Sequence, residues 1–354
     1  MKISVPFLTD PAYIQFLNRH RDRIRSVYFP LSTGPVIDAR ARFETMDIQS
    51  LCQQLHAVDI GSKYLLLNSR FIPPDRYRDS RFLTGVMASV EFLLDQGCVS
   101  GFVFTDAYLL RAIASENRDI ACALEAVPGA NCMIDDAQKA FTILELIESW
   151  GFRLPSKIVL DRSLNRRMDR LAQTVQSIRS CYTGVEIELL VNEGCLWYCP
   201  YKMTHDAHIA LCNTGMVKNT TQRLNRELGC IRHFLAHPED ILKSPFIRPE
   251  DMSRYDDVAD SLKICGRTLG PRFLKQCIAS YAAGEFSGNL LELMDATHWM
   301  AEHFYIDNPG LTDQFFDRIT SCTKQCKDCT ICSQTFDTVS RSIQFKLKPY
   351  GEYQ

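Results

Sequence analysis

Eight short, β-rich apolar runs separated by helical patterns constrain this chain more than any other feature. They are Ile3 to Val5, Val27 to Phe29, Lys63 to Leu67, Gly101 to Phe104, Ala121 to Leu124, Lys157 to Leu160, Glu186 to Val191 and Leu262 to Cys265. The runs are followed by turn residues. A helix is expected from Pro11 to about Ile24. Another is expected over Arg81 to Asp95, where Phe82, Val86, Val90 and Leu93 recur every three to four residues behind Ser80 as N-cap. Phe141, Leu144, Ile147 and Trp150 make the same stripe over Ala137 to Trp150, and Gly151 follows where a helix C-terminus favours glycine. Both stripes are faces for packing against a sheet.

Strict alternation of strand and helix implies a parallel sheet, and eight strands imply its closure into a TIM-like (β/α)8 barrel. The alternative is a doubly wound open sheet. It lacks its usual signature here, because SVPFLTDPAY (4 to 13) stands where a glycine-rich dinucleotide turn would follow the first strand. The expected organisation is a barrel over 1–300, with an insertion at 194–260 after the seventh strand, and a cysteine-rich extension over 301–354. The insertion is too long for an ordinary loop and contains Pro200, Asn219, Pro238, Pro245 and Pro249.

With 40 Lys+Arg against 42 Asp+Glu, the net charge of -2 argues against a generic polyanion-binding surface, though it leaves room for a local basic patch. The first residues carry Asp10 and no apolar run of signal-peptide or membrane-spanning length, so a cytoplasmic protein without a membrane partner is expected. Fifteen cysteines is many for a reducing compartment, which makes metal binding the leading explanation for the clustered ones. Cys52, Cys98, Cys122, Cys132, Cys181 and Cys277 are scattered and read as small core residues.

Two constellations remain. Cys195 and Cys199 form a C-x3-C pair at the C-terminal end of the seventh run, the edge where a barrel does its chemistry. Gly194 lets the backbone turn closely there, and Cys212 and Cys230 in the same insertion can supply the remaining ligands. Zinc would be satisfied by the same four thiolates, with His205, His208, His233 or His237 able to replace one. In the tail, Cys322, Cys326, Cys329 and Cys332 read C-x3-C-x2-C-x2-C, a compact spacing that suits an iron–sulfur cluster better than a zinc ribbon. A second cluster is therefore expected there.

Asn192 and Glu193 stand just before the first ligand at the barrel mouth, and with His205 they are the candidate catalytic residues. Arg162 and Asn165 follow the sixth run, and Arg248 and Arg267 flank the eighth; these four are candidates for binding an anionic substrate. No Ser-His-Asp set, paired carboxylates or HExxH is visible, so hydrolysis has no evident machinery.

LLVNEGCLWYCPYKMTH (189 to 205), ILKSPFIRPEDMSRY (241 to 255), LKICGRTL (262 to 269), IDNPGL (306 to 311) and CTKQCKDCTIC (322 to 332) resemble, in order, motifs of peptidase family U thirty-two, the collagenase-like peptidases, in its iron–sulfur branch. The resemblance covers about the last half of the chain. It implies a barrel-like fold and a [4Fe-4S] cluster on Cys195, Cys199 and Cys230, with Cys212 standing in for the fourth ligand and Cys265 in reserve. It also implies oxygen-independent hydroxylation or other redox chemistry on a small molecule or an RNA base, in preference to proteolysis. The alternatives are a metal-dependent peptidase, or a non-catalytic scaffold for a related iron–sulfur subunit.

Overall fold

The computed structural model describes residues 1–40, 45–218 and 220–343. Asn219 and the last part of the extension, 344–354, lie outside them. Eight parallel strands form the barrel: β1 (Lys2–Pro6), β2 (Ile24–Pro30), β3 (Lys63–Leu67), β4 (Gly101–Phe104), β5 (Glu125–Pro128), β6 (Lys157–Leu160), β7 (Glu186–Leu190) and β8 (Ser261–Lys263). Their order is β5-β4-β3-β2-β1-β8-β7-β6. The seam between β5 and β6 is held by the isolated parallel bridges Glu125↔Arg153 and Ile134↔Leu160, so the expected barrel is nearly closed.

Around it run α1 (Pro11–Arg19), α2 (Ile48–His56), α3 (Ser80–Asp95), α4 (Ala107–Glu116), α5 (Arg118–Ala123), α6 (Ala137–Ser149) and α7 (Met168–Cys181). The insertion after β7 folds into α8 (Lys202–Asn213), α9 (Thr221–Glu227) and α10 (Cys230–Ala236), and α11 (Gly270–Ala283) follows β8. The C-terminal segment adds β9 (Phe304–Ile306), α12 (Asp313–Thr320), α13 (Ile331–Val339) and β10 (Ser340–Ser342), with β9 and β10 antiparallel. Among the described residues no helix is long and apolar enough to cross a membrane.

The strands are buried on both faces, which is why they read as continuous apolar runs. Ile3, Val5, Val27, Phe29, Leu65, Leu67, Phe102 and Phe104 belong to the core under the helices. Phe315, Phe316, Ile319 and Phe336 of the C-terminal segment join that same core. Tyr28, Tyr64, Leu66, Val103 and Val127 form a second, separate cluster from alternate positions of β2 to β5.

A polar knot sits across the other strands. The Lys157 ammonium lies 2.6 Å from Glu188 Oε1 and donates to the hydroxyls of Ser4 and Ser26 at 2.8 Å each. Ser4 and Ser261 also donate to Glu188, at 2.5 and 3.2 Å. Burial alone would raise the Glu188 carboxyl, but Lys157 and Lys263 outweigh it and hold it at about 2. Burial lowers the Lys263 ammonium to about 8, against the pull of Glu188.

Several sequence expectations are corrected. Ala121 to Leu124 is not the fifth strand: α5 occupies Arg118–Ala123, where the Asn117 side chain accepts from Ile120 N. The strand follows at Glu125–Pro128, and its Ala126 and Val127 pair with Phe102 and Val103. The first helix ends at Arg19, and Ile24 already belongs to β2. Asp79 caps α3 in place of Ser80, because its carboxylate accepts from Arg81 N and Phe82 N. Strand β8 covers Ser261–Lys263 only, although Ile264 N still donates to Ser4 O at 2.9 Å.

Candidate metal centre at the barrel mouth

The chain leaves β7 through Asn192, Glu193 and Gly194 into the C-x3-C turn. Asn192, fully buried, donates to the carbonyls of Cys265 (3.1 Å) and Leu293 (3.0 Å) and accepts from Cys265 N at 2.8 Å. It therefore ties the exits of β7 and β8 together. Gly194 has φ +75, and a Cβ there would lie 2.5 Å from Thr297 Oγ1. Tyr198 is also left-handed at φ +53, as is Lys324 inside the tail's C-x3-C at φ +62. Of the three non-glycine residues with positive φ among the described residues, the third being Met133, two thus lie inside cysteine loops. Such strain persists only where surrounding structure enforces it. Gly194→Ala is expected to lower stability by about 1–3 kcal/mol in urea unfolding; an unchanged midpoint would mean the turn relaxes freely.

Cys199 lies near enough to Cys195 and to Cys230 to act electrostatically on each. Burial raises each thiol, and the charge of Cys199 adds to the rise at both Cys195 and Cys230. Because the thiolate is the ligating form, metal binding here would release protons. Cys212 Sγ is turned toward Lys218 O (3.6 Å) and Thr221 Oγ1 (3.9 Å). Cys265 Sγ donates to Asn192 Oδ1 at 3.3 Å, at the exit of β8.

A charged network floors the mouth. Arg162 pairs with Glu193 rather than with Asp161 or Asp169, and both partners are buried. Lys202 pairs with Asp206 at 2.5 Å, and Arg70 reaches the same carboxylate at 3.3 Å. Burial would raise the Glu193 carboxyl, but Arg162, Lys202 and Arg40 bring it below its ordinary value. Burial lowers the His205 imidazole, which faces Asn225 Nδ2 at 3.5 Å.

Two of the expected substrate residues are committed elsewhere. Asn165 is fully buried and donates to Leu190 O and Pro245 O at 2.8 and 2.9 Å. Arg248, 1% exposed, forks onto Asp251 at 2.7 and 2.8 Å and donates to the carbonyls of Asn308 and Leu311. Its guanidinium is a clasp between the insertion and the C-terminal segment. Arg267 does reach the mouth and pairs with Asp38, but among the described residues its Nη1 and Asp38 Oδ1 are buried without a hydrogen-bond partner. A cavity of about 90 Å³ at the mouth and a neighbouring one of about 480 Å³ share Asp38, Arg267 and Thr268. Phe7, Phe29 and Leu31 line the larger one.

All four tail cysteines line a single cavity of about 550 Å³, together with Arg166, Lys243 and Lys324. Arg166 donates from Nε to Ser244 O and from Nη2 to Leu242 O, each at 2.9 Å, while its buried Nη1 has no partner. Cys332 and Cys322 act electrostatically on that guanidinium. Lys324 joins the two cysteine sets: its Nζ donates to Trp197 O at 2.5 Å and lies 4.9 Å from the Tyr198 ring centroid.

One grouping escaped the sequence analysis. Cys52, His56 and Cys98 bring one donor atom each within 4.8 Å of one another, so that they could hold a metal ion. The legible signal was Cys52 and His56 four apart on one helix face. Cys98, distant in sequence, had nothing to connect it.

No family model matches the chain. It is 30% identical over 236 residues to an uncharacterised protease of Methanocaldococcus jannaschii, an alignment that takes in 67% of this chain and 65% of that protein's length. The chain thus spans just under two thirds of that relative. A U32 peptidase of known structure superposes with a TM-score of 0.51 at 14% identity, over 75% of this chain and 92% of the other. At that identity the likeness concerns the fold. The chain is thus similar in sequence to an archaeal protein named as a protease and similar in fold to a U32 peptidase.

Proposed function

We propose that the chain is an iron–sulfur oxidoreductase, of the kind that carries out oxygen-independent hydroxylation, acting on a small molecule held in the barrel mouth. The observation that carries this reading is the tail cavity of about 550 Å³, which all four tail cysteines line beside the buried Arg166, whose Nη1 has no hydrogen-bond partner among the described residues. A cluster carried by four thiolates is negatively charged and presents sulfur acceptors, which Arg166, Lys243 and Lys324 suit. Cys195, Cys199 and Cys230 would hold a second cluster, with Cys212 or Cys265 as the candidate fourth ligand. Bound there, such a group supplies one-electron transfer. Zinc would use the same thiols but would carry no electrons.

The chain's own residues do the rest. Arg162 and Lys202 offset the Glu193 and Asp206 carboxylates under the inner cysteines, and Trp197 and Tyr198 cover the interval between the two sets. Among the described residues Arg267 Nη1 has no hydrogen-bond partner and could receive a carboxylate or phosphate, and the adjoining cavity of about 480 Å³ is within the range of small-ligand sites. An RNA base and a partner iron–sulfur subunit are the other occupants to test, and the cytoplasm is the proposed location.

The test is anaerobic purification with iron and sulfide quantified for the wild type, Cys199→Ala and Cys329→Ala. Each variant is expected to lose about half of the iron while keeping the rest. Wild-type protein without iron, sulfide or cluster absorbance would overturn the reading. If either substitution removes all the iron, the two sets make one site.

A second reading, metal-dependent peptidase, is favoured by the name of the archaeal relative. It would draw on Glu193 and His205 beside the inner cysteines. Cleavage of gelatin peptides that is lost in His205→Ala, in protein free of iron, would establish it.

A further inference from the structure

We infer that Cys52, His56 and Cys98 form a separate site for a single zinc-class ion on the N-terminal face of the barrel, opposite the mouth. Cys52 and His56 stand one turn apart at the C-terminal end of α2. Cys98 lies in the turn from α3 to β4, which Gly97 makes possible at φ +64. Both elements end at the entrance edge of the strands. In this architecture that edge serves stability, while chemistry sits at the other.

The distances suit a tetrahedral ion. Zinc–sulfur and zinc–nitrogen bonds set ligand separations of roughly 3.5–3.8 Å. Here Cys52 Sγ lies 4.0 Å from His56 Nδ1, and one donor atom of each of the three residues lies within 4.8 Å of the other two. His56 Nε2 is also 2.9 Å from the Gln96 carbonyl, so that nitrogen carries the proton and leaves Nδ1 as the ligating atom. A backbone carbonyl holding the second ring nitrogen is the usual outer partner of a metal-bound histidine.

Burial shapes the site as well. Cys52 and Cys98 are 4% and 0% exposed, whereas His56 faces solvent. An ion would be walled by protein on the thiol side and would complete its coordination with water on the other. The ion would pin the end of α2 to the entrance of β4. This inference is independent of the iron–sulfur reading, because none of its residues lies near either cluster set.

Residue-resolved alkylation of the full chain tests it. Aerobically stable zinc is added to anaerobically purified protein, and the modification rate of each cysteine is followed by peptide mass spectrometry. At zinc ten times above its dissociation constant, Cys52 and Cys98 should both label about tenfold more slowly. The exposed His56→Ala variant, expected to fold normally, should lose that protection with an unchanged circular dichroism spectrum. Protection of the mouth and tail cysteines should be the same in both proteins. Equal labelling of Cys52 and Cys98 with and without zinc would overturn the site. So would full protection retained in His56→Ala, or a Cys52–Cys98 disulfide found in the zinc-treated protein.

Discussion

Glu188→Leu is expected to cost about 3–5 kcal/mol of folding stability, read as a lower urea midpoint, because it strands a buried cation. Lys157, 2% exposed, would keep only the hydroxyls of Ser4 and Ser26, and Lys263 would lose its nearest carboxylate at 3.9 Å. The double variant Lys157→Met with Glu188→Leu should recover most of the loss, since apolar replacement of a whole buried pair is often neutral. A single variant as stable as the wild type would show that the knot is hydrated or already uncharged.

The same knot sets a pH dependence. The folded pKa of Glu188, about 2, lies below its ordinary 4.5, so its stabilisation is complete above about 4.5 and disappears as pH falls toward about 2. Lys263 acts at the other end. Its folded pKa of about 8 lies below the ordinary 10.5, so the unfolded chain binds more protons between the two values and stability rises with pH there. Glu188→Leu should remove the acid limb that Glu188 supplies.

Arg248→Ala should cost a similar amount, about 3–5 kcal/mol, by leaving buried Asp251 without its cation and removing the donor to the Leu311 carbonyl and one of the donors to that of Asn308. Arg248→Lys should not restore the loss, since a single ammonium cannot fork onto a carboxylate and reach two carbonyls. Urea unfolding followed by tryptophan fluorescence measures both. A fully restored midpoint in Arg248→Lys would show that charge alone suffices and that the fork is dispensable. The prediction assigns Arg248 to stability, because its guanidinium is committed to Asp251 and two backbone carbonyls.

These clasps bear on the proposed chemistry. Arg248 anchors the segment that begins at Asn308 to the insertion that carries Cys230. Lys324 makes a second tie, from the tail to Trp197 between the inner cysteines. Through Lys324 the tail is thereby tied to the turn that carries Cys195 and Cys199.

Much of the barrel was legible because each strand is buried on both faces and so writes an apolar run that needs no knowledge of its partners. The fifth strand was misplaced for a local reason. Ala121 to Leu124 is as apolar as a strand, and only the Asn117 cap and the pairing of β5 with β4 show that it belongs to a helix and the turn after it. The C-x3-C turn after β7 was equally legible, since a barrel's exit edge is defined by chain order.

What the sequence by itself determined, then, is the alternation that makes a barrel, the position of Cys195 and Cys199 at its mouth, and the compact cysteine tail. Only the tertiary structure decided which charges remain available. Arg162, Asn165 and Arg248 stood as candidates beside Arg267 along the chain, yet the fold buries them against Glu193, backbone carbonyls and Asp251, while Arg267 pairs with Asp38 at the mouth and its Nη1 has no hydrogen-bond partner among the described residues. The same holds for Cys52, His56 and Cys98, brought together by a turn between α3 and β4. Apolar periodicity is a property of neighbours in sequence. A polar group's partner is a property of neighbours in space, and burial makes finding that partner obligatory.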